Sequence, residues 1–484
     1  MANNNQYTSL IYEYFLVRFH SQYYNCGDTL PPIDTLSKEF NVAPQTVKTA
    51  LRRLRTEGYI SMHNGTTTKV IFKQTEDQLA EFILNFFSER WDIFFDIYKS
   101  SEQLFVPLLV EGLKRMNQTD INYLIHLTER ADTDDLIHFY CYTLQKIRNP
   151  LALNLFWEVS LFQGFPFARL DSHPVQYNSQ LIQKRLRKLI SFVQKNDWDN
   201  VQSFLTKFQR SDVCVIKKIM EPFIHRIPKE DQVPFVWRVY RKRPQICYNL
   251  ASCILHSIYI GEYRNIQFLP SYEKMAESYD VSVSTMRRTI SMLNQIGACK
   301  TINGKGTRLF TIGERCPEPN FKSPIVRLNL SFFVQSFELL IYSCNNVTVY
   351  FLSSLSQTKK VNLLRDLETC FDEGRCELSL WHYLLYVSEN SSLSGIRVMY
   401  KTIYSLFLWG YPLKASSVDS SILDQAVIQF TESMIHHLRK DEFNQCAEDV
   451  RHLLSMQLLA AKKYLTKHGI PFEELQNNSS IRFY

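Results

Sequence analysis

The sequence predicts a mainly α-helical protein in which one unit is made twice: a small helical domain with a β-hairpin, then an all-α bundle. Three observations carry this. Residues 30–70 and 269–309 align without a gap at an offset of 239 positions (Leu30 to Leu269), close to half of the 484-residue chain. Self-similarity at a long fixed offset marks tandem copies of a folding unit. The segments between and after the copies carry apolar residues at helical spacing. Gly and Pro are scarce, at 14 and 17 residues, which favours long packed helices over loops.

The first copy reads LPPIDTLSKEFNVAPQTVKTALRRLRTEGYISMHNGTTTKV and the second LPSYEKMAESYDVSVSTMRRTISMLNQIGACKTINGKGTRL. Leu36 and Phe40 lie four apart; Val47, Leu51 and Leu54 have i, i+4, i+7 spacing. Each set falls on one face of a helix. Their counterparts Met275, Tyr279, Met286, Ile290 and Leu293 are also apolar and core-sized. The Asn41–Val42 step reads as a short turn between two steeply crossing helices. Gly58, matched by Gly297, fits a helix end that needs a left-handed residue. Tyr59–Met62 and Thr67–Phe72 then read as two short strands joined through Asn64–Gly65, a hairpin signal repeated by Asn303–Gly304. The order is helix, helix, turn, helix, wing: a winged helix-turn-helix.

The long segments that follow are helical. Leu136, Phe139 or Tyr140, and Leu144 recur at helical spacing. So do Leu181, Leu186, Leu189 and Val193, and in the second half Leu438, Val450, Leu453 and Leu454. The two segments echo each other, with His138/His382, Gly164/Gly410 and Pro166/Pro412 in step. Four domains are expected: winged helix-turn-helix domains at 1–74 and 244–313, each followed by an all-α domain, at 75–243 and 314–484.

Composition sets the class. Hydrophobic residues are 45% and charged residues 21%, an ordinary globular mix. No apolar run is seen to reach the ~18 residues of a membrane span, and no signal peptide opens the chain. Eleven cysteines are scattered without metal or disulfide spacing and read as reduced thiols in a cytoplasm. Catalytic motifs are missing: Gly304-Lys305-Gly306 falls in a hairpin rather than between a strand and a helix, and no Gly-x-Ser-x-Gly elbow occurs. The reading is of a protein that is not an enzyme and needs no cofactor.

The net charge of +7 decides little, but its placement is informative. Lys48, Arg52, Arg53 and Arg55 fall on the second helix of the first motif, Arg287 and Arg288 on that of the second. Lys69, Lys305 and Arg308 fall in the wings. Cations there would meet phosphates. In such a motif the second helix enters the major groove by its N-terminal side chains. These are Pro44, Gln45, Thr46 and Lys48 in the first copy, and Val283, Ser284, Thr285 and Arg287 in the second. Gln45 suits adenine, and Lys48 or Arg287 suits guanine or phosphate. Thr46 and Thr285 suit phosphate anchoring. Asn64–Gly65 and Asn303–Gly304 would approach the minor groove or backbone. The expected partner is double-stranded DNA.

The Gly-Asp-x-Leu-Pro opening (Gly27, Asp28, Leu30, Pro31), the run QTVKTALRRLRTEGYI and the wing NGTTTKV resemble the GntR family of bacterial transcription regulators. The second copy keeps Leu269–Pro270 and the wing NGKGTRL. Two departures matter: Pro44 and Val283 stand where the family usually has Arg, and Ala43 stands where a capping Ser is usual, though Ser282 is kept. The helical segments resemble the FadR-type effector domain, through Asp134, His138, Asn149–Pro150 and Asn196–Asp197. That resemblance implies an effector site inside the bundle, with a metal held by an Asp and three His in many members. Here Asp134 and His138 remain in the first copy, and His382 and His452 in the second. Two ligands per copy are too few for a stable site, so no bound metal is expected. Candidate walls of an effector pocket are Phe156–Phe167 and Tyr400–Tyr411.

The function expected is a ligand-responsive transcription regulator with two tandem readers in one chain. It would act as a pseudo-dimeric monomer, or as a homodimer, on an operator with unlike half-sites. The alternatives are an effector-free DNA-binding protein resembling a replication initiator, or an interaction scaffold with degenerate readers.

Overall fold

The protein is seen in a computed structural model that describes residues 4–40, 42–63, 65–130, 133–164, 179–239, 245–260, 262–263, 266–310, 316–410, 413 and 421–476. It is mainly helical and separates into two compact units, Met1–Lys242 with Leu393–Gly395, and Arg243–Ser392 with Ile396–Asn478.

The first unit opens with α1 (Asn4–His20), α2 (Ile33–Glu39) and α3 (Pro44–Thr56), then β1 (Ile60–Ser61) and β2 (Lys69–Val70). Helix α1 was not assigned from the repeat, which begins only at Leu30. It packs along α3 and contributes the fully buried Ile11, Phe15 and Phe19. The inner face of α3 is Val47, Ala50, Leu51 and Leu54, each 0% exposed. Helix α3 ends with Gly58 at φ +84° and the Tyr59 N–H donating to the Leu54 carbonyl at 2.9 Å. That is the six-to-one bond of a Schellman ending. The strands are shorter than expected and pair antiparallel, Ile60 with Val70. The Gly-Asp-x-Leu opening adds a third edge: the Val70 N–H donates to the Asp28 carbonyl, and the Leu30 N–H to Thr68. Asn41 and Asn64 lie outside the described residues.

Seven helices follow: α4 (Glu76–Ser88), α5 (Trp91–Lys114), α6 (Gln118–Arg130), α7 (Thr133–Lys146), α8 (Pro150–Phe162), α9 (Ser179–Gln194) and α10 (Trp198–Met220). Helix α5 is the axis, packed by α7, α8 and α10. Asn149 caps α8 by accepting from the Ala152 N–H, and Pro150 fills the first helical position. Leu136, Phe139, Tyr140 and Leu144 are buried, as are Leu186, Leu189 and Val193. Leu181 corrects the expected pattern. It is 42% exposed, and its neighbour Ile182 takes the inward place, because Ile182 lies four residues before Leu186 and so shares its face, whereas Leu181 lies five before it.

The second unit repeats the element order: α11 (Gln245–Ile260), α12 (Tyr272–Ser278), α13 (Val283–Gln295), β3 (Cys299–Ile302) and β4 (Gly306–Leu309). Helix α13 is the same length as α3, and the buried Met286, Thr289, Ile290 and Leu293 fall at the offsets of Val47, Ala50, Leu51 and Leu54. Gly297 also sits at φ +84°, with the Ala298 N–H donating to Leu293. Here too an edge strand joins: the Leu269 N–H donates to Thr307, and the Leu309 N–H to Gln267. The helices after it are α14 (Pro324–Ser354), α15 (Gln357–Asp372), α16 (Ser379–Asn390), α17 (Ser394–Phe407), α18 (Ser421–Arg439), α19 (Phe443–Lys467) and α20 (Phe472–Gln476). Asn196 before α10 and Asp441 before α19 both adopt left-handed backbone, at φ +56° and +55°.

Helix α14 is 31 residues and by length and mean composition apolar enough to cross a membrane, although Asn329, Gln335 and Glu338 keep it from forming one continuous apolar run. Its apolar window is 67% buried within the protein, packed along α19 and α20. It is the core helix of the second unit, and its polar residues are satisfied internally: the Gln335 amide donates to the Leu475 carbonyl at 3.0 Å.

Candidate nucleic-acid interface

The two motifs present their outward faces on the same scaffold with different chemistry. On α3, Gln45 and Arg52 are exposed and Lys48 is half-buried. On α13, Ser284, Arg287 and Arg288 are exposed. Among the described residues, none of these four cations has an ion-pair partner. Lys69 on β2 and Asn303, Gly304 and Lys305 at the β3–β4 turn are exposed, as is Gly65 at the first wing.

One expected contact is placed elsewhere, and three others make contacts within their own motif. Thr46 is 1% exposed, so it faces the interior of the motif rather than a phosphate. Its N–H closes the first turn on the Ala43 carbonyl, and Ala43 supplies no side-chain cap. Thr285 is half-buried, its hydroxyl 2.9 Å from that of Ser282. Arg53 makes its contacts within the motif while its side chain stays 53% exposed. It donates to Glu57 at 3.0 Å and lies 3.6 Å from the centre of the Tyr12 ring. Tyr12 also donates to Glu57, at 2.5 Å. Burial first, then this carboxylate, pushes the Tyr12 phenol up to about 12. Arg308 is half-buried, with its guanidinium beside the Phe310 ring.

The helix-to-wing tie is made by different residues at one place. Arg55 donates to the Met62 carbonyl at 3.3 Å, and Asn294 accepts from the Thr301 N–H at 2.8 Å. Arg55 and Asn294, and Met62 and Thr301, are all 239 positions apart. The N-termini of the two helices also differ. Ala43 gives α3 no side-chain cap, whereas the Ser282 hydroxyl accepts from the Thr285 N–H at 3.2 Å. Ser282, Ser284 and Thr285 group three hydroxyls at the positive end of the α13 dipole. This arrangement suits phosphate oxygens.

The first unit also holds an internal cavity of about 60 Å³ among α5, α7, α8 and α10. Phe105, Tyr140 and Phe156 form aromatic walls, and no charged side chain lines it. Two of its polar atoms have no partner: the Gln163 amide nitrogen and the Gln209 amide oxygen. The expected wall Phe156–Phe167 spans Gln163 but not Gln209, because a single polar residue facing inward from another helix leaves no periodic signal. Residues 165–167 lie outside the described residues. In the second candidate wall Tyr400, Tyr404, Leu406, Phe407, Leu408 and Trp409 are each at most 6% exposed. Tyr411 lies outside the described residues.

No group of three or more His, Cys, Asp or Glu side chains able to hold a metal occurs among the described residues. The Asp134 side chain lies outside them. His138 is half-buried on α7 and does not line the cavity. The places of further ligands are held by buried Leu186 and Phe208. His382 is half-buried on α16, where burial lowers its pKa, and His452 is exposed on α19.

Compared with known proteins, residues 8–70 match the family model of bacterial regulatory proteins, gntR family. The N-terminal motif is a GntR-family helix-turn-helix domain. No curated protein sequence matches the chain. Similar solved structures include E. coli McbR/YncC, at 14% identity, covering 44% of this chain and 97% of that one with a TM-score of 0.23. Streptococcus agalactiae GntR matches at 16% identity over 42% and 98%, TM-score 0.21. Lar, which controls the expression of the Listeria monocytogenes agr system, matches at 13% identity over 46% and 98%, TM-score 0.23.

Proposed function

We propose that the protein is a cytoplasmic transcription regulator with two DNA readers in one chain, at 1–74 and 244–313, each followed by an all-α effector-type domain. The observation that carries the reading is the recurrence of the recognition-helix register. Helices α3 and α13 bury matching positions and leave unlike cations outward, Lys48 and Arg52 on one, Arg287 and Arg288 on the other. A single chain then reads an asymmetric operator whose half-sites differ. Gln45, Lys48 and Arg52 act in one half-site with the Asn64–Gly65 wing and Lys69. Ser284, Thr285, Arg287 and Arg288 act in the other with Asn303, Gly304, Lys305 and Arg308. Tethering makes the second contact intramolecular, at a high effective concentration. The eleven cysteines are free, which suits a reducing compartment.

The cavity of the first unit supports an effector site. It has room for roughly four water-sized positions, with a donor and an acceptor left open and no charge. An uncharged ligand that accepts from Gln163 and donates to Gln209 fits it. Helix α8 links this wall to the reader. Its Glu158, 2% exposed, pairs with Arg238 at 3.2 Å, and Arg238 also pairs with Glu13 of α1 at 3.0 Å. Helix α1 in turn packs on α3. A ligand that moves α8 therefore has a route to the recognition helix, and its coupling free energy would appear in DNA affinity.

The test is DNA affinity by fluorescence anisotropy across salt. Each phosphate contact contributes about 0.9 to the slope of log K against log salt. Removing Arg52 or Arg288 should lower that slope by about 1 while leaving sequence preference unchanged. An unaltered slope in both variants contradicts the reading.

A further inference from the structure

The hairpin of α9 and α10 encloses a second, different cavity, open to solvent and of about 340 Å³. Its walls combine cations with aromatic rings. Arg185, Lys188 and Phe192 line it from α9 at i, i+3, i+7; Phe204, Lys207 and Phe208 line it from α10. Asn200, Ser203 and Ser211 add polar groups, and no carboxylate is among the lining residues. Lys188 and Lys207 have no ion-pair partner among the described residues. The Lys188 ammonium sits 5.8 Å from the centre of the Phe192 ring and 5.9 Å from that of Phe204. The Arg185 guanidinium donates to the Ser211 hydroxyl at 3.0 Å and lies 5.3 Å from the Phe208 ring. Asp197, which precedes α10, caps that helix and accepts from the Asn200 amide.

Lys188 and Lys207, two like charges lining one cleft, repel each other, a cost that a bound anion removes. The rings of Phe192 and Phe204 do not neutralise the Lys188 ammonium but attract it by cation–π contact. The size lies in the range of small-ligand clefts, roughly 300–1,000 Å³. The wall differs in kind from the uncharged cavity among α5, α7, α8 and α10, so the two select opposite chemistry. We propose that this cleft binds a small aromatic anion: a flat ring against the Phe192–Phe204 pair, its phosphate or carboxylate held by Arg185, Lys188 and Lys207. The fit is to a monomeric ligand of the size of the cleft.

The probes are 1-naphthyl phosphate, 1-naphthyl acetate and inorganic phosphate, titrated into the full-length chain by calorimetry at low salt. Naphthyl phosphate and naphthyl acetate, one a phosphate monoester and the other a neutral ester, separate charge from ring. The expected result is naphthyl phosphate binding at least tenfold tighter than either other probe. Lys188→Gln and Lys207→Gln are surface changes and should each weaken it roughly tenfold, since each removes one close unit charge. Phe204→Leu should weaken naphthyl phosphate while leaving the weak phosphate binding unchanged. Far-ultraviolet circular dichroism identical to the parent keeps the variants interpretable. Inorganic phosphate binding as tightly as naphthyl phosphate, equal binding in the Lys188→Gln, Lys207→Gln double variant, or no naphthyl phosphate binding overturns the proposal. Displacement of naphthyl phosphate by a random-sequence duplex that binds the cleft more tightly also overturns it, in favour of a nucleic-acid surface.

Discussion

Gly58 and Gly297 hold equivalent places after α3 and α13, both at φ +84°, yet the structure predicts very different costs for replacing them by alanine. The left-handed conformation itself costs a non-glycine residue about 1–2 kcal/mol. Alanine returns about 0.4–1 kcal/mol by restricting the unfolded chain. At Gly58 nothing lies within 4 Å of the added Cβ, so the net loss should be about 0.5–1 kcal/mol. At Gly297 the Cβ would lie 2.2 Å from the Pro317 carbonyl oxygen. That is over 1 Å short of ordinary contact. The obstacle is backbone, held by the Asn320 N–H donating to the Gln295 carbonyl at 2.7 Å, so it yields only by lifting the segment off α13. Such overpacking adds about 1–3 kcal/mol, for a total near 3 kcal/mol. The assay is hydrogen exchange followed by mass spectrometry, because a chain of two units is not two-state and a single melting temperature would mix them. Amides of α13 should lose on the order of 100-fold protection in Gly297→Ala, and those of α3 less than about tenfold in Gly58→Ala. Equal losses in the two variants would refute the argument that packing against Pro317 separates them.

Other outcomes follow from the same geometry. Ser282→Ala should destabilise α13 by about 1 kcal/mol, while Ala43→Ser should stabilise α3 by a similar amount, both read by exchange in the first helical turn. Arg238→Met removes the ion pair that Arg238 makes with the buried Glu158 carboxylate and should cost about 2–3 kcal/mol in urea unfolding of the first unit; Glu158→Gln in that background should recover much of it. His20 and His256 are held neutral by burial, with pKa values below the ordinary 6.5 or so. Because their folded-state values are depressed, the unfolded chain takes up protons first as pH falls. Stability should therefore be full above about pH 6.5 and decline below it, down to the lowered folded values; His20→Phe should flatten that decline in the first unit.

The parts of the fold legible in sequence were those repeated at a fixed offset. The inner faces of α3 and α13 and the two left-handed glycines recur because both motifs solve one packing problem. What escaped was set by tertiary contact. Arg53 looks like a phosphate ligand until Tyr12 and Glu57 close around it, and nothing local in the sequence reveals α1 as that neighbour. Thr46 is buried beside Val47 at the start of α3, a placement that its residue type does not announce. Helix α14 hid its apolar character behind Asn329, Gln335 and Glu338, which are buried in the fold. The candidate interface was legible as residue types at helical spacing. The cavity amides Gln163 and Gln209 were not, since an unpartnered buried group is visible only when its surroundings are known.

The central claim is that two unlike readers act from one chain. Selection of DNA from a random library by the purified full-length protein tests it most directly, repeated with Lys48→Ala and Arg287→Ala separately. The account predicts an enriched site with two different half-sites, one lost with each substitution. Enrichment of a perfect palindrome, or of a site sensitive to only one of the two substitutions, contradicts it.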